Sequence, residues 1–296
     1  MTIVDEIFQP NEKKADEQKS FNKEQWALQK QEEREEAFKM IDQSALETMS
    51  SEEQLKAVLD VIAHFDRYSV GNALLIAKQK PDATKLADYD KWKETGTYVK
   101  KGETGLLILG PGQEYKKSDG TTGVNYTVKK VFDISQTSAE KQPESHPISD
   151  ARQLLKSLIQ KAPCTMSINE DANYPQGKYT LYDAEQNIIF VRRGGSETEV
   201  FQEVTQHIVG VLLDKSDYAT PDRNFIVSCA SYVLCKRNHL ETPHLEFEKL
   251  KQQANFETPK SIRISIGKVR ELASDISKEM KHPPKAKQKS RDSGAR

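Results

Sequence analysis

The stretch from Phe65 to Pro111 constrains the fold most, because three different patterns follow one another in it without a gap. Apolar residues at spacings of three and four predict a helix that begins near Val70. That helix has to stop at Pro81, since proline lacks an amide donor and restricts the residue before it. A short helix around Trp92 and a lysine-rich turn that enters a strand complete the stretch. We therefore expect helices and strands to be mixed along the chain.

Aromatic and lysine side chains are concentrated in the same stretch. Three aromatic residues are predicted to stack on bases: Tyr68, Trp92 and Tyr98. Four lysines are predicted to contact phosphates: Lys91, Lys93, Lys100 and Lys101. Unpaired bases stack on aromatic rings and their phosphates need cations, so this combination is typical of a protein that binds single-stranded nucleic acid. Core positions for Tyr68 and Trp92 remain an equal alternative.

A hairpin is predicted downstream of this stretch. Asp119-Gly120 suits a tight turn between two antiparallel strands, and both strands carry paired lysines. The lysine pairs suit a ribbon near phosphates. Lysines that guard a solvated strand edge against aggregation explain them about as well.

Four segments resemble one family and occur in the family's order. They are YSVGNALLIAKQKPDAT, the Trp92 helix, VKKGETGLLIL and VFDISQT. Together they resemble the N-terminal single-stranded-DNA-binding domain of ArdC, whose family includes antirestriction proteins and LtrC-type proteins of conjugative plasmids and transposons. The resemblance implies a single-stranded DNA-binding protein of a mobile genetic element that protects or escorts transferred DNA.

The order of elements after residue 150 resembles the C-terminal zinc metallopeptidase domain of the same family. There a helix carries HExxH, in which two histidines bind zinc and the glutamate activates the zinc-bound water. Laid on that motif, the helix FQEVTQHIVGVLL places Gln202 and Gln206 at the histidine positions, while Glu203 keeps the position of the base. Ser228 stands where the resemblance places the third ligand.

These replacements predict a domain without zinc. An amide oxygen is a poor zinc donor beside imidazole or thiolate, and neutral serine is poorer still. Without a bound ion, the vestigial Glu203 has no water to activate. We expect no catalytic residue, no metal and no cofactor, and we expect His207 to be a satisfied core or rim histidine. An active zinc peptidase with non-standard ligands and a protein-interaction scaffold are the alternatives.

The sequence predicts an α+β protein with two domains, the second of them zincin-like. The predicted parts are a charged helical extension (1–45), an ArdC-like single-stranded-DNA-binding domain (46–137), a linker (138–149), a metallopeptidase-like domain (150–256), an amphipathic helix (257–280) and a basic disordered tail (281–296). The net charge of −1 argues against a DNA-mimic inhibitor, which needs a dense acidic surface.

Location and partners are predicted from what the sequence lacks. No apolar run approaches the ~20 residues that span a membrane, and the N-terminus has no signal-peptide pattern. We therefore expect a cytoplasmic protein with no membrane partner. The charged helix from Glu24 to Asp42 is predicted to be solvated, with contact to a protein partner as the alternative.

Overall fold

A computed structural model describes residues 12–116, 119–139, 150–216 and 221–281. The helices are α1 (Glu12–Thr48), α2 (Glu52–His64), α3 (Val70–Gln79), α4 (Tyr89–Glu94), α5 (Ala151–Gln160), α6 (Glu197–Asp214), α7 (Arg223–Arg237), α8 (Phe247–Ala254) and α9 (Pro259–Lys281). The strands are β1 (Leu86–Ala87), β2 (Leu106–Lys116), β3 (Thr122–Asp133), β4 (Thr165–Ile168), β5 (Thr180–Asp183) and β6 (Ile188–Val191). Among the described residues, no helix has the length and apolar character needed to cross a membrane.

The strands form two small sheets. In the first, β3 lies between β1 and β2 and is antiparallel to both. In the second, β6 lies between β4 and β5, parallel to β4 and antiparallel to β5. Gly120 has φ +83° at the turn between β2 and β3, a conformation that glycine adopts at no steric cost, so the hairpin predicted at Asp119-Gly120 is confirmed.

Helix starts follow capping chemistry. Ser51 caps α2 by accepting a hydrogen bond from the amide of Gln54. Ser50, in contrast, donates its hydroxyl to the carbonyl of Glu47 at the end of α1. Asp150 caps α5 through its carboxylate.

One apolar cluster takes side chains from both predicted domains. Helix α9 packs on α7 and α1, and α2 packs on α7. Arg237 at the end of α7 donates to the carbonyl oxygens of Ile62 and Ala63 at the end of α2, and to that of Ala273 in α9. Cations stabilise helix C-termini because the last carbonyls lack partners. Because the two predicted domains share this core, their division into separate domains stays a prediction.

The N-terminal helix is only partly solvated. Its residues Ala37, Ile41 and Ala45 recur every four positions and are buried where α1 packs on α3 and α9. The expectation of a solvated helix is therefore wrong at its end, and the boundary predicted at residue 45 falls inside α1. The predicted linker (138–149) and tail (281–296) lie almost wholly outside the described residues.

Asp133 fixes the start of the first sheet. Its carboxylate accepts hydrogen bonds from the amides of Thr84, Lys85 and Ser135. Burial alone would raise the pKa of Asp133, but these hydrogen bonds outweigh it and lower the pKa. The carboxylate thereby holds the chain that leads into β1 against the end of β3.

The outer edge of β2 is closed by amide side chains of α3. Asn72 donates to the carbonyl of Leu109 and accepts from its amide, at 2.8 Å each. Gln79 pairs in the same two-way manner with Leu107, at 2.9 and 2.8 Å. Two residues further along the same edge stands Pro111, which has no amide to leave unpaired. An edge strand with free amides and carbonyls would invite pairing with another chain, and here it has been covered.

Truncation of Asn72 should destabilise the fold more than truncation of Gln79. Asn72 is 6% exposed, so Asn72→Ala leaves the amide and carbonyl of Leu109 without partners and should cost about 2 kcal/mol. Gln79 is exposed, and water can replace its amide in Gln79→Ala. Denaturant unfolding of the two variants measures the difference. Equal losses of unfolding free energy in the two variants would show that the burial of Asn72 does not set the cost.

Candidate nucleic-acid cleft and the helix of the vestigial motif

A cleft of about 700 Å³ opens between the start of α3, the β1–α4 segment and the β2–β3 hairpin. Its charged and aromatic lining residues are Arg67, Tyr68, Asp88, Asp90, Lys91, Glu94, Tyr126 and Lys129. Tyr68 and Lys91 were predicted as site residues from the sequence. The cleft combines aromatic, basic and acidic side chains at the surface of one small sheet.

Two tyrosines line this cleft. Tyr68 is half-buried and meets Phe65 edge-on, with ring centroids 5.6 Å apart. Burial, and after it the charge of Asp88, raises the pKa of Tyr68. Tyr126 on β3 is 50% exposed, so much of its ring is accessible. Sequence reasoning missed Tyr126, although its place on a lysine-rich strand of the predicted hairpin was a usable signal.

Trp92 is a core residue, which corrects the stacking role predicted for it. Its side chain is 4% exposed, and its indole Nε1 donates to the carbonyl of Phe132 at 2.9 Å. The ammonium of Lys85 lies 5.6 Å from the ring centroid. Helix α4 has six residues, and Trp92 is the buried one, so it anchors the helix to β3. No face of the indole is left for a base.

The predicted lysines differ in their surroundings. Lys91 forms an ion pair with Glu94 at 2.9 Å, and this hydrogen bond raises its pKa. Lys100 donates its ammonium to the carbonyl of Ser135 at 3.1 Å. Lys93 and Lys101 are exposed. Of the four lysines, Lys91 alone lines the cleft.

Tyr98 lies outside the cleft, beside the segment that follows β3. Its side chain is 58% exposed, and its backbone exchanges hydrogen bonds with Ser138 at 3.0 and 2.7 Å. Lys100 and Lys101 follow it in the turn before β2, where Gly102 has φ +91°. The predicted binding residues therefore divide into a cleft pair, a buried tryptophan, an exposed group on this turn, and Lys93, which is exposed on α4.

Glu203 on α6 is engaged by the strand that faces it. Its Oε2 accepts hydrogen bonds from the amides of Tyr179 and Thr180 and from the hydroxyl of Thr180, each at 2.9 Å. The ammonium of Lys178 lies 3.7 Å from its Oε1. The side chain is 7% exposed. The residue at the position of the catalytic base thus attaches α6 to the start of β5.

His207 lies one turn further along the same helix face. Its Nε2 lies 2.9 Å from the hydroxyl of Thr180. Because that hydroxyl donates to Glu203, the imidazole has to donate its Nε2 proton to Thr180. Burial lowers the pKa of His207, with Glu203 opposing the effect. The prediction of a satisfied histidine is confirmed.

The residues at the three ligand positions do not fit a zinc ion. The amide of Gln202 donates to the carbonyl of Glu241 at 2.7 Å, and Gln206 and Ser228 offer one amide and one hydroxyl. No cluster of three His, Cys, Asp or Glu side chains that could hold a metal occurs within the described residues. The amide of Gln202 thus faces the backbone at residue 241 and not a metal position.

Glu203→Ala should destabilise the protein. The substitution takes from the amides of Tyr179 and Thr180 and from the hydroxyl of Thr180 the acceptor that they share, which should cost about 3 kcal/mol. Gln202→Ala is the matched control on the same helix, because its one bond is exposed. Thermal or denaturant unfolding compares the two variants. A Glu203→Ala protein as stable as the parent would show that the carboxylate does not hold β5.

His207 should make stability fall in mild acid. Its pKa is lowered by folding, so below about pH 6.5 the unfolded chain takes up a proton that the folded protein does not. Stability is therefore complete above that pH and decreases as the pH falls through the folded pKa. Urea unfolding at several pH values should give a steeper acid loss for the parent than for His207→Gln. Identical profiles would exclude His207 as the cause.

Comparison with known proteins finds a match for the segment that contains the cleft. Residues 35–153 match the family model for the N-terminal domain of anti-restriction factor ArdC. Similar solved structures include two of the antirestriction ArdC protein from R388 plasmid. The metal-free one has a TM-score of 0.49 and 15% identity, and the Mn(II)-bound one 0.49 and 14%. Each alignment covers 72% of this chain and 85% of the other.

Among curated protein sequences no match is found. The family match spans less than half of the chain and includes every residue that lines the cleft. The mixed helix and strand content agrees with the α+β class expected from the sequence. Residues 35–153 are therefore similar to the N-terminal domain of anti-restriction factor ArdC, and the chain is ArdC-like over this segment.

Proposed function

We propose that this protein binds single-stranded DNA of a mobile genetic element, a conjugative plasmid or transposon, and protects or escorts the DNA during transfer. The observation that carries the proposal is the cleft in which Tyr68 and Tyr126 lie beside Arg67 and Lys129. Single-stranded DNA exposes bases that stack on aromatic rings and phosphates that attract cations. The match to a domain of an anti-restriction factor supports the setting of DNA transfer.

Lys129 is well placed to meet a phosphate at this cleft. A Cβ atom at Gly110 would lie 2.7 Å from Cδ of Lys129, so the lysine stem lies directly over the backbone of β2. A side chain at residue 110 would push the flexible end of Lys129 aside. Lys129 is exposed and lines the cleft, so its charge is available to a strand that enters there.

The turn with Tyr98, Lys100 and Lys101 extends the proposed binding surface. Tyr98 and Lys101 are exposed on it, and Lys93 is exposed on nearby α4. These side chains support contacts to bases and phosphates that continue beyond the cleft. Trp92 has no part in them.

For the second segment we propose a zincin-like fold that no longer binds zinc, and hence a pseudo-metallopeptidase. The hydrogen bonds of Glu203 with β5 support this, since they occupy the carboxylate that would otherwise activate water. No observation on the described residues favours the active peptidase. We place the protein in the cytoplasm, as its proposed DNA partner requires.

A protein partner on α1 is the second candidate function. Trp26 is 62% exposed and Leu28 is 59% exposed on the part of the helix that precedes its buried end. A spacing of two residues puts these side chains on different sides of the helix, where each offers an apolar contact to a partner. This would make the protein a scaffold in addition to a DNA-binding protein.

Tyr126→Ala should weaken binding of single-stranded oligonucleotides about tenfold, because one stacked base contributes on the order of 1–3 kcal/mol. Lys129→Ala should weaken binding and lower the slope of log affinity against log salt by about one. Fluorescence anisotropy on single strands and duplexes, with the full chain, measures both effects.

Tyr89→Ala is the matched control for this test. Tyr89 is 53% exposed on α4 but does not line the cleft, so its loss should leave binding nearly unchanged. If Tyr89→Ala and Tyr126→Ala weaken binding equally, the cleft is not the site. If the parent prefers duplexes, the proposed function itself is wrong.

A further inference from the structure

We propose that the cleft prefers unpaired bases that carry an exocyclic amino group, such as cytosine and adenine, over thymine and uracil. The inference rests on the proposed function and names the bases that its site selects. Its basis is the separation of charge between the two sides of the cleft. Basic side chains alone would bind a strand of any base composition. The carboxylates on the acidic side are what selects between bases.

The charges of the cleft divide by element. Lys91 and Glu94 on α4 neutralise each other in an ion pair at 2.9 Å. Two further carboxylates of the cleft, Asp88 and Asp90, lie on the same β1–α4 side. Arg67, which precedes α3, and Lys129 on β3 bring positive charge to the cleft from the other elements. The cleft is therefore acidic along α4 and basic along the hairpin and the start of α3.

A nucleotide fits this separation in one orientation. The phosphate is negative and meets the basic side, which turns the base towards the acidic side. A volume of about 700 Å³ lies within the roughly 300–1,000 Å³ of sites that enclose small ligands. Tyr68 and Tyr126 line the same space and offer aromatic surface to the base.

The acidic side then discriminates between base edges. Ionised carboxylates only accept hydrogen bonds, so they pair with an amino group such as N4 of cytosine. Thymine and uracil present a single N–H between two carbonyl oxygens, and those oxygens face the carboxylates without a donor. Oδ1 of Asp88 accepts the amide of Lys91 at 2.8 Å, and across the described part of the chain Oδ2 receives no hydrogen bond. Asp88 and Asp90 are both exposed and accessible.

The test compares two oligonucleotides of equal length, oligodeoxycytidine and oligodeoxyuridine, which differ only in the groups on this base edge. Binding of the full-length protein at mildly alkaline pH should favour the cytidine strand about tenfold, the lower end of what a hydrogen bond to a charged acceptor contributes. The double variant Asp88→Asn with Asp90→Asn should bring that ratio close to one. An amide can accept from an amino group or donate to a carbonyl, so it no longer selects. Asparagine also retains the N-cap of α4.

The matched control is Asp82→Asn with Asp171→Asn, which removes the same charge at exposed positions outside the cleft and should leave the ratio unchanged. Equal binding of both strands by the parent would overturn the base preference while the proposed function stands. An unchanged ratio in the Asp88 and Asp90 variant would overturn the assignment to these carboxylates. Failure of the parent to bind either strand would refute the proposed function and this inference with it.

Discussion

The paired hydrogen bonds between amide side chains of α3 and the edge of β2 are the interaction on which the region around the first sheet depends. A three-stranded sheet has two edges. At the edge formed by β2, side-chain amides exchange hydrogen bonds with the backbone as a neighbouring strand would. Asn72 holds Leu109, and Leu109, Gly110 and Pro111 form the floor of the cleft on which Lys129 lies. The position of the helix and the shape of the cleft are thus set by the same hydrogen bonds. Apolar packing alone would let α3 slide along the sheet, because hydrophobic contact has no direction.

Glu203 illustrates how a carboxylate at a motif position can be used for structure. The family resemblance assigns this position to a base, yet the surroundings in this chain supply three hydrogen-bond donors and no imidazole at the positions beside it. His207, which is one residue away from the motif, completes the network through Thr180. A buried carboxylate with this number of donors is satisfied without a metal. The helix, the strand and the histidine form one polar connection.

Local patterns predicted much of this fold. The hairpin turn at Asp119-Gly120 and the helix that carries Glu203 depend on neighbours in sequence, so sequence alone was enough. Trp92 could not be assigned, because an exposed stacking residue and a buried anchor have the same local pattern and only the carbonyl of Phe132 distinguishes them. Tyr126 could have been named from its lysine-rich strand, but its place in a cleft could not, since the other elements of the cleft lie far away in sequence.

The hydrogen bonds of Arg237 have a consequence for the order in which the chain folds during synthesis. Translation delivers the first region before the second, and domains commonly fold in that order. In this chain the final carbonyls of α2 obtain their hydrogen bonds only when Arg237 has been synthesised. The buried face of α1 is covered only when α9 has been synthesised. The region that contains the first sheet therefore leaves the ribosome incompletely packed and reaches its final packing only after α9 has been released. A nascent chain would carry this apolar surface exposed for most of its synthesis, which makes it a candidate client for chaperones that bind early.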